Sequence, residues 1–238
     1  MRVHAGICLS LLLSPLLLAQ DTSKTVRLAD RTDWWSVLNE NFEWPNNKAK
    51  GDELAPANFE IAGVNLEAET PFRDLRERFG WAISAIRSKG NNAREQFCYV
   101  FGQGTSGRLV FEHGESNESF YLFTGGQPWN GQALCAGSTQ LTPALRTKSG
   151  LGLGISPSEV EQILGKPDFS SPNRFVYYRD IEKHTPDDKL AQLRTEHSDL
   201  ADKDFHDNYD SYDLELYIEA RFTDGKLTYL AVSKGENY

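Results

Sequence analysis

The segment LELYIEARFTDGKLTYLAVSK, from Leu214 to Lys234, most limits what this chain can become. Leu214, Leu216, Ile218, Ala220 and Phe222 alternate with polar and aromatic residues, the period-two pattern of a strand with one buried face. Asp224-Gly225 is a two-residue hairpin signal. The segment therefore predicts an antiparallel hairpin with one apolar face suited to packing under helices. Tyr217, Glu219 and Arg221 share the other face. A two-residue turn pairs Tyr217 with Val232 and Glu219 with Leu230.

The helix that such a face needs lies upstream, in GISPSEVEQILGKPDFSSPNRFVYY from Gly154. The Ser156 hydroxyl can cap free N–H groups, and Pro157 sits where a missing N–H costs nothing. Glu159, three residues after Ser156, completes a capping box. Val160, Ile163 and Leu164 fall on one helical face. Gly165 and Pro167 end the helix. RFVYY then reads as a strand.

The same order occurs earlier in the chain. FEIAGVNLEAE is extended, and TPFRDLRERFG is a short helix with Thr70 as cap, Phe72, Leu75 and Phe79 as apolar positions and Gly80 as terminator. WAISAIRSKGNN reads as a second helical piece and a turn. QFCYVFG, GRLVFEHG and ESFYLFTGG are strands, and QALCAGSTQL, after a loop holding Trp129, is a fourth candidate. The spacing between the two helices, about 85 residues, predicts duplicated units and not a solenoid. The fold class expected is α+β: two tandem helix-plus-antiparallel-sheet units, residues 59–145 and 146–238. A charged insertion, residues 180–213, interrupts the second unit as a solvated helix on a long loop.

Residues 1–20 carry Arg2 and an apolar run from Ile7 to Ala19, which reads as a secretory signal peptide. Residues 21–58 form an N-terminal segment. In it RTDWWSVLNENFEW predicts a short amphipathic helix with Trp34, Trp35, Leu38 and Phe42 as apolar positions, followed by a polar linker. Large rings usually bury, which favours packing of this helix on its own domain. The formal charge is −9, becoming −10 without the leader. No basic patch exists, so nucleic acid is not an expected partner. No second apolar run is long enough to span a bilayer. Cys98 and Cys135 are an even pair in an exported chain, which predicts one disulfide. The location expected is periplasmic or secreted.

The GISPSEVEQILGKP helix, the aromatic strand after it and the FTDGKL hairpin resemble the small exported domains of the SmpA/OmlA outer-membrane lipoprotein type. The tandem arrangement resembles the beta-lactamase-inhibitor-protein fold. The match covers Gly154–Asp168 and Leu214–Val232. The resemblance implies a binding or assembly role without a cofactor. No cysteine ends the apolar leader, so lipid anchoring does not carry over.

Catalytic signatures do not emerge. No Gly-x-Ser-x-Gly elbow or phosphate loop occurs. His184, His197 and His206 match no compact metal spacing, and Asp204, Asp207, Asp210 and Asp213 lack the EF-hand pattern. A dyad of Cys98 and His113 competes with the disulfide. No catalytic residue, metal or cofactor is expected. The function expected is recognition of a protein or cell-envelope component through an aromatic sheet face. Its binding residues are Tyr121, Phe123, Tyr178, Tyr217, Glu219 and Arg221. Packing of that same face against another part of the chain is the alternative. A cell-envelope hydrolase using carboxylates near the acidic insertion and a purely structural envelope protein are the other readings.

Overall fold

The computed structural model describes residues 53–68, 70–87, 94–101, 107–114, 116–125 and 135–238, together with the backbone of Val26–Arg27. The leader, the helix expected around Trp34 and the loop holding Trp129 lie outside the described residues.

Alternating apolar residues dictate most of what forms. The strands are β1 (Val26–Arg27), β2 (Glu60–Ile61), β3 (Val64–Asn65), β4 (Ala85–Arg87), β5 (Arg94–Phe101), β6 (Gly107–His113), β7 (Asn117–Phe123) and β8 (Ala136–Gly137). After them come β9 (Phe169–Ser171), β10 (Arg174–His184), β11 (Ser211–Thr223) and β12 (Lys226–Asn237). The helices are short: α1 (Leu75–Phe79), α2 (Pro157–Leu164), α3 (Asp187–Glu196) and α4 (Asp202–Tyr209), with a 3-10 turn at Pro56–Phe59.

The expected pair of tandem helix-plus-sheet units is not what the chain builds. Ten strands make one continuous sheet in the order β1-β4-β5-β6-β7-β12-β11-β10-β9, with β8 beside β5. The strands β5 to β7 and β9 to β11 join through β12, which pairs with β7 on one side and β11 on the other. All of these pairings are antiparallel; β1 with β4 and β8 with β5 are parallel. The helices are accessory to a sheet that dominates the molecule. The physical reason is an apolar inner face on every long strand, so no strand edge at the middle is left for a boundary between units.

That inner face carries Tyr99, Leu109, Phe111, Phe120, Leu122, Tyr177, Leu216, Ile218, Leu230 and Val232 in one core. It is closed by Phe59, Ile61 and Leu66 from the β2–β3 region, Leu75 and Phe79 from α1, and Val160 from α2. Full burial of such side chains stabilises by about 1.5–3 kcal/mol each. Leu214, Leu216, Ile218, Ala220 and Phe222 all face this core, as the alternation requires.

Helix α2 forms as its sequence predicts. Ser156 accepts from the Glu159 N–H, the Glu159 carboxylate accepts from the Ser156 N–H, and Gly165 follows the last turn at φ 80°. α1 is shorter than expected. Residues 70–74 are turns and the helix starts only after Asp74, whose side chain caps nothing; Gly80 ends it as foreseen. WAISAIR is extended and leads into β4, not helical: Ala82 and Ser84 bury while Trp81 and Ile83 stay exposed, a period of two. Of QALCAGSTQL, the described residues 135–141 hold one strand, the two-residue β8.

The β11–β12 turn has Asp224 at φ 51° and Gly225 at φ 70°, the left-handed pair that a two-residue hairpin demands. Its register differs from expectation by one residue. Thr223 pairs with Lys226 and Phe222 with Leu227, but Arg221 then pairs with Tyr229, leaving Thr228 as a bulge. Tyr217 therefore faces Ser233, and Glu219 faces Ala231. The bulge keeps Leu230 and Val232 in the core.

Strand β10 runs on to His184, four residues past the point where the insertion was expected to begin. The rest of that stretch forms α3 and α4, which stack on each other: the Arg194 guanidinium lies 4.9 Å from the Phe205 ring, and His197 stacks on Tyr209 at 4.8 Å.

Candidate functional site

The outer face of the sheet is set by the same alternation that fills the core. On it Cys98, Val110, Tyr121, Phe123, Tyr229 and Ala231 form a second buried cluster, with Cys135 and Tyr217 packed against it. Cys98 and Cys135 form a disulfide, Cα to Cα 4.5 Å, as the sequence predicts. Arg108, Phe123, Tyr229, Arg221 and Arg174 follow one another across five strands by direct register. Phe123 and Tyr229 stack at 6.1 Å, and guanidinium groups cover both ends: Arg108 over Phe123 at 6.0 Å, Arg221 over Tyr229 at 5.6 Å.

Glu219, fully buried, anchors the adjoining row. Arg174 Nε lies 2.7 Å and Arg221 Nε 2.6 Å from its Oε1, and the Tyr217 hydroxyl donates to Oε2 at 2.6 Å. Two cations and a phenol thus compensate one fully buried carboxylate, the condition on which a buried charge is tolerated. Burial, and then the Glu219 charge, push the Tyr217 hydroxyl well above its ordinary pKa.

The six residues expected to bind all occupy this face, yet they do not form one open surface. Tyr121, Phe123 and Glu219 are 2 %, 2 % and 0 % exposed and offer nothing to a partner. Tyr121 instead donates to the buried Glu112 carboxylate at 3.2 Å, and Glu112 also holds the Gln96 amide. Arg221 and Tyr217 are half-buried within the Glu219 cluster. Tyr178, half-buried on β10 opposite Tyr217, belongs to a different neighbourhood.

That neighbourhood is the far end of the β10–β11 ribbon. Asp180 lies directly across from Glu215, and Glu182 directly across from Asp213. The period of two puts these four carboxylates on the face of Tyr178 and Tyr217. Like charges in direct opposition destabilise a strand pair. Partial desolvation, then Asp180 and Asp213, raise the Glu215 carboxyl above the ordinary range. The Tyr178 hydroxyl is pushed up to about 12 by burial and then by Glu215, Asp180 and Asp213. An aromatic ring and four opposed carboxylates therefore share one patch.

The sequence reading missed this patch because it closed the strand at Arg179. Continuing the alternation through Tyr178, Asp180 and Glu182, and backward from Tyr217 through Glu215 and Asp213, would have found it. Elsewhere, a cleft of about 510 Å³ opens where β12 ends, between the β6–β7 turn and α3. Its charges are mostly satisfied internally: Glu118 holds His113 Nδ1 at 2.6 Å and Glu236 holds Lys234 at 2.9 Å. His206 is paired with Asp210 at 2.7 Å. Among the described residues, no group of three or more His, Cys, Asp or Glu side chains is placed to hold a metal ion. Among those residues, no helix is long and apolar enough to cross a membrane.

Comparison of the chain with protein-family models, with curated proteins and with solved structures found no match.

Proposed function

We propose that this chain is an exported protein that acts by binding a cationic protein surface, through Tyr178 and the carboxylates of the β10–β11 ribbon. The observation that carries the reading is the register that sets Asp180 against Glu215 and Glu182 against Asp213 beside an aromatic ring. Glu182 and Glu215 are exposed on this face, and a basic partner turns the repulsion they meet there into attraction. Tyr178 adds contact area at low entropy cost, as interface tyrosines do. The overall charge of −9 favours encounter with such a partner and disfavours anionic envelope lipids or polymers. The apolar leader and the Cys98–Cys135 disulfide support export.

The test is calorimetric titration with an oligolysine peptide, with oligoglutamate as control, at low and high ionic strength. Binding of oligolysine alone, weakened by salt, is expected. Tyr178→Ala and Glu215→Gln should each weaken it with the melting temperature preserved. Absence of binding, or binding indifferent to salt and to both substitutions, would rule the reading out.

A further inference from the structure

We infer that the partner binds by adding a β-strand to the outer edge of β10 at Glu182 and His184, with basic side chains on the face of the carboxylates. This rests on the reading of the ribbon as a cation-binding face and specifies how the contact is made.

In an antiparallel pair, alternate residues turn their N–H and C=O groups to opposite sides of the strand. Both ends of β10 fix which residues turn which way. The Thr185 N–H donates to Asp210 O at 2.9 Å, and Asn173 O accepts from the Phe222 N–H at 2.9 Å, so odd-numbered residues bond toward β11. Val176 O accepts from the Asp168 N–H at 3.0 Å, and the Tyr178 N–H donates to Asp168 Oδ2 at 2.9 Å, so even-numbered residues bond outward. The register from Arg174 to His184 is unbroken. Glu182 and His184 therefore turn their backbone groups outward.

Strand β9 covers only Arg174 to Val176, and Asp168 occupies the next outward amide. Beyond these, no described strand pairs with β10 on that side. Glu182 and His184 are both exposed. Pro186 ends the strand and opens α3, so the edge is short and bounded. Charged residues on an edge normally guard it against indiscriminate pairing. Here they also select. A second copy of this chain, laid antiparallel, would set Glu182 against Glu182 or Asp180. An extended segment with Lys or Arg at alternate positions meets the exposed Glu182 on the carboxylate face and satisfies the outward amides as well.

The experiment uses the full chain and a peptide of alternating lysine and threonine, with a second peptide N-methylated at alternate residues. Methylation removes the backbone donors needed for strand addition and keeps the charge. The unmethylated peptide should slow hydrogen exchange at the Glu182 and His184 amides at least tenfold, and methylation should weaken binding at least tenfold. Glu182→Gln should weaken binding severalfold and retain the protection. Equal affinity of the two peptides, or binding without protection of those amides, would overturn strand addition while leaving the cation-binding face standing. No binding by either peptide would overturn both.

Discussion

The Tyr217 hydroxyl donates to Glu219 Oε2 across two positions of one strand, 2.6 Å apart, while Arg174 and Arg221 hold the other oxygen. Glu219 is thus a buried carboxylate shared by two partly buried cations. Glu219→Ala should cost about 1.5–3 kcal/mol in urea unfolding, because the partly buried Arg174 and Arg221 lose a charged acceptor. Glu219→Gln should cost less, since the amide oxygen still accepts. Equal stability of wild type and Glu219→Ala would show that the cluster contributes nothing.

Reduction of the Cys98–Cys135 bond should lower stability by about 4 kcal/mol in the chain-entropy model, since it closes a separation of 37 residues. Thermal melts with and without reductant check this. A shift in melting temperature should appear equally in the Cys98→Ala, Cys135→Ala double variant.

Ser156→Ala removes the acceptor for the Glu159 N–H at the start of α2 and should cost about 1 kcal/mol. Gly225→Ala, at φ 70° in the hairpin turn, should cost about 1–2 kcal/mol through backbone strain alone. Denaturant midpoints of the two single variants check both, and their combination should show coupling, because Leu227 beside the turn exchanges backbone hydrogen bonds with Gly154 and Ile155 beside the cap.

Glu215 and His113 should give pH dependences of the same sign, stability falling as pH rises, in two different pH windows. The folded state raises the Glu215 carboxyl, so its ionised form opposes folding. The penalty is absent below the ordinary glutamate range and complete above the folded value. Glu215→Gln should therefore stabilise at neutral pH and change nothing at low pH. The hydrogen bond to Glu118 raises the His113 imidazole. Its contribution is present below the ordinary histidine value and fades as pH rises through the folded one. Proton NMR of His113 should show a pKa that falls back toward the ordinary value in Glu118→Gln.

Local structure was legible in the sequence wherever alternation was long. The phase of Phe120 and Leu122 against Tyr121 and Phe123, the capping box at Ser156 and the Asp224-Gly225 turn all follow from side-chain chemistry within a few residues. Three features were not local. The Thr228 bulge moves the partner of Tyr217 from Val232 to Ser233, and a turn signal says nothing about an irregularity four residues away. Burial of Tyr121 and Phe123 depends on what covers the outer face, which strand phase cannot report. The single sheet arises from β12 pairing with β7, a contact more than a hundred residues distant in sequence, where a repeat pattern suggested a boundary. The acidic patch was within reach, because only the habit of ending a strand at the first run of charges hid it.

Strand β12 also governs the order in which this chain can mature. It lies between β7 and β11, yet every other described element precedes it in sequence. Until it docks, the strands up to β7 and those from β9 to β11 wait as two half-sheets, each with a bare edge. Such edges invite pairing with the wrong neighbour. Docking of β12 closes both edges at once, so the stage most exposed to mispairing is the one that precedes it.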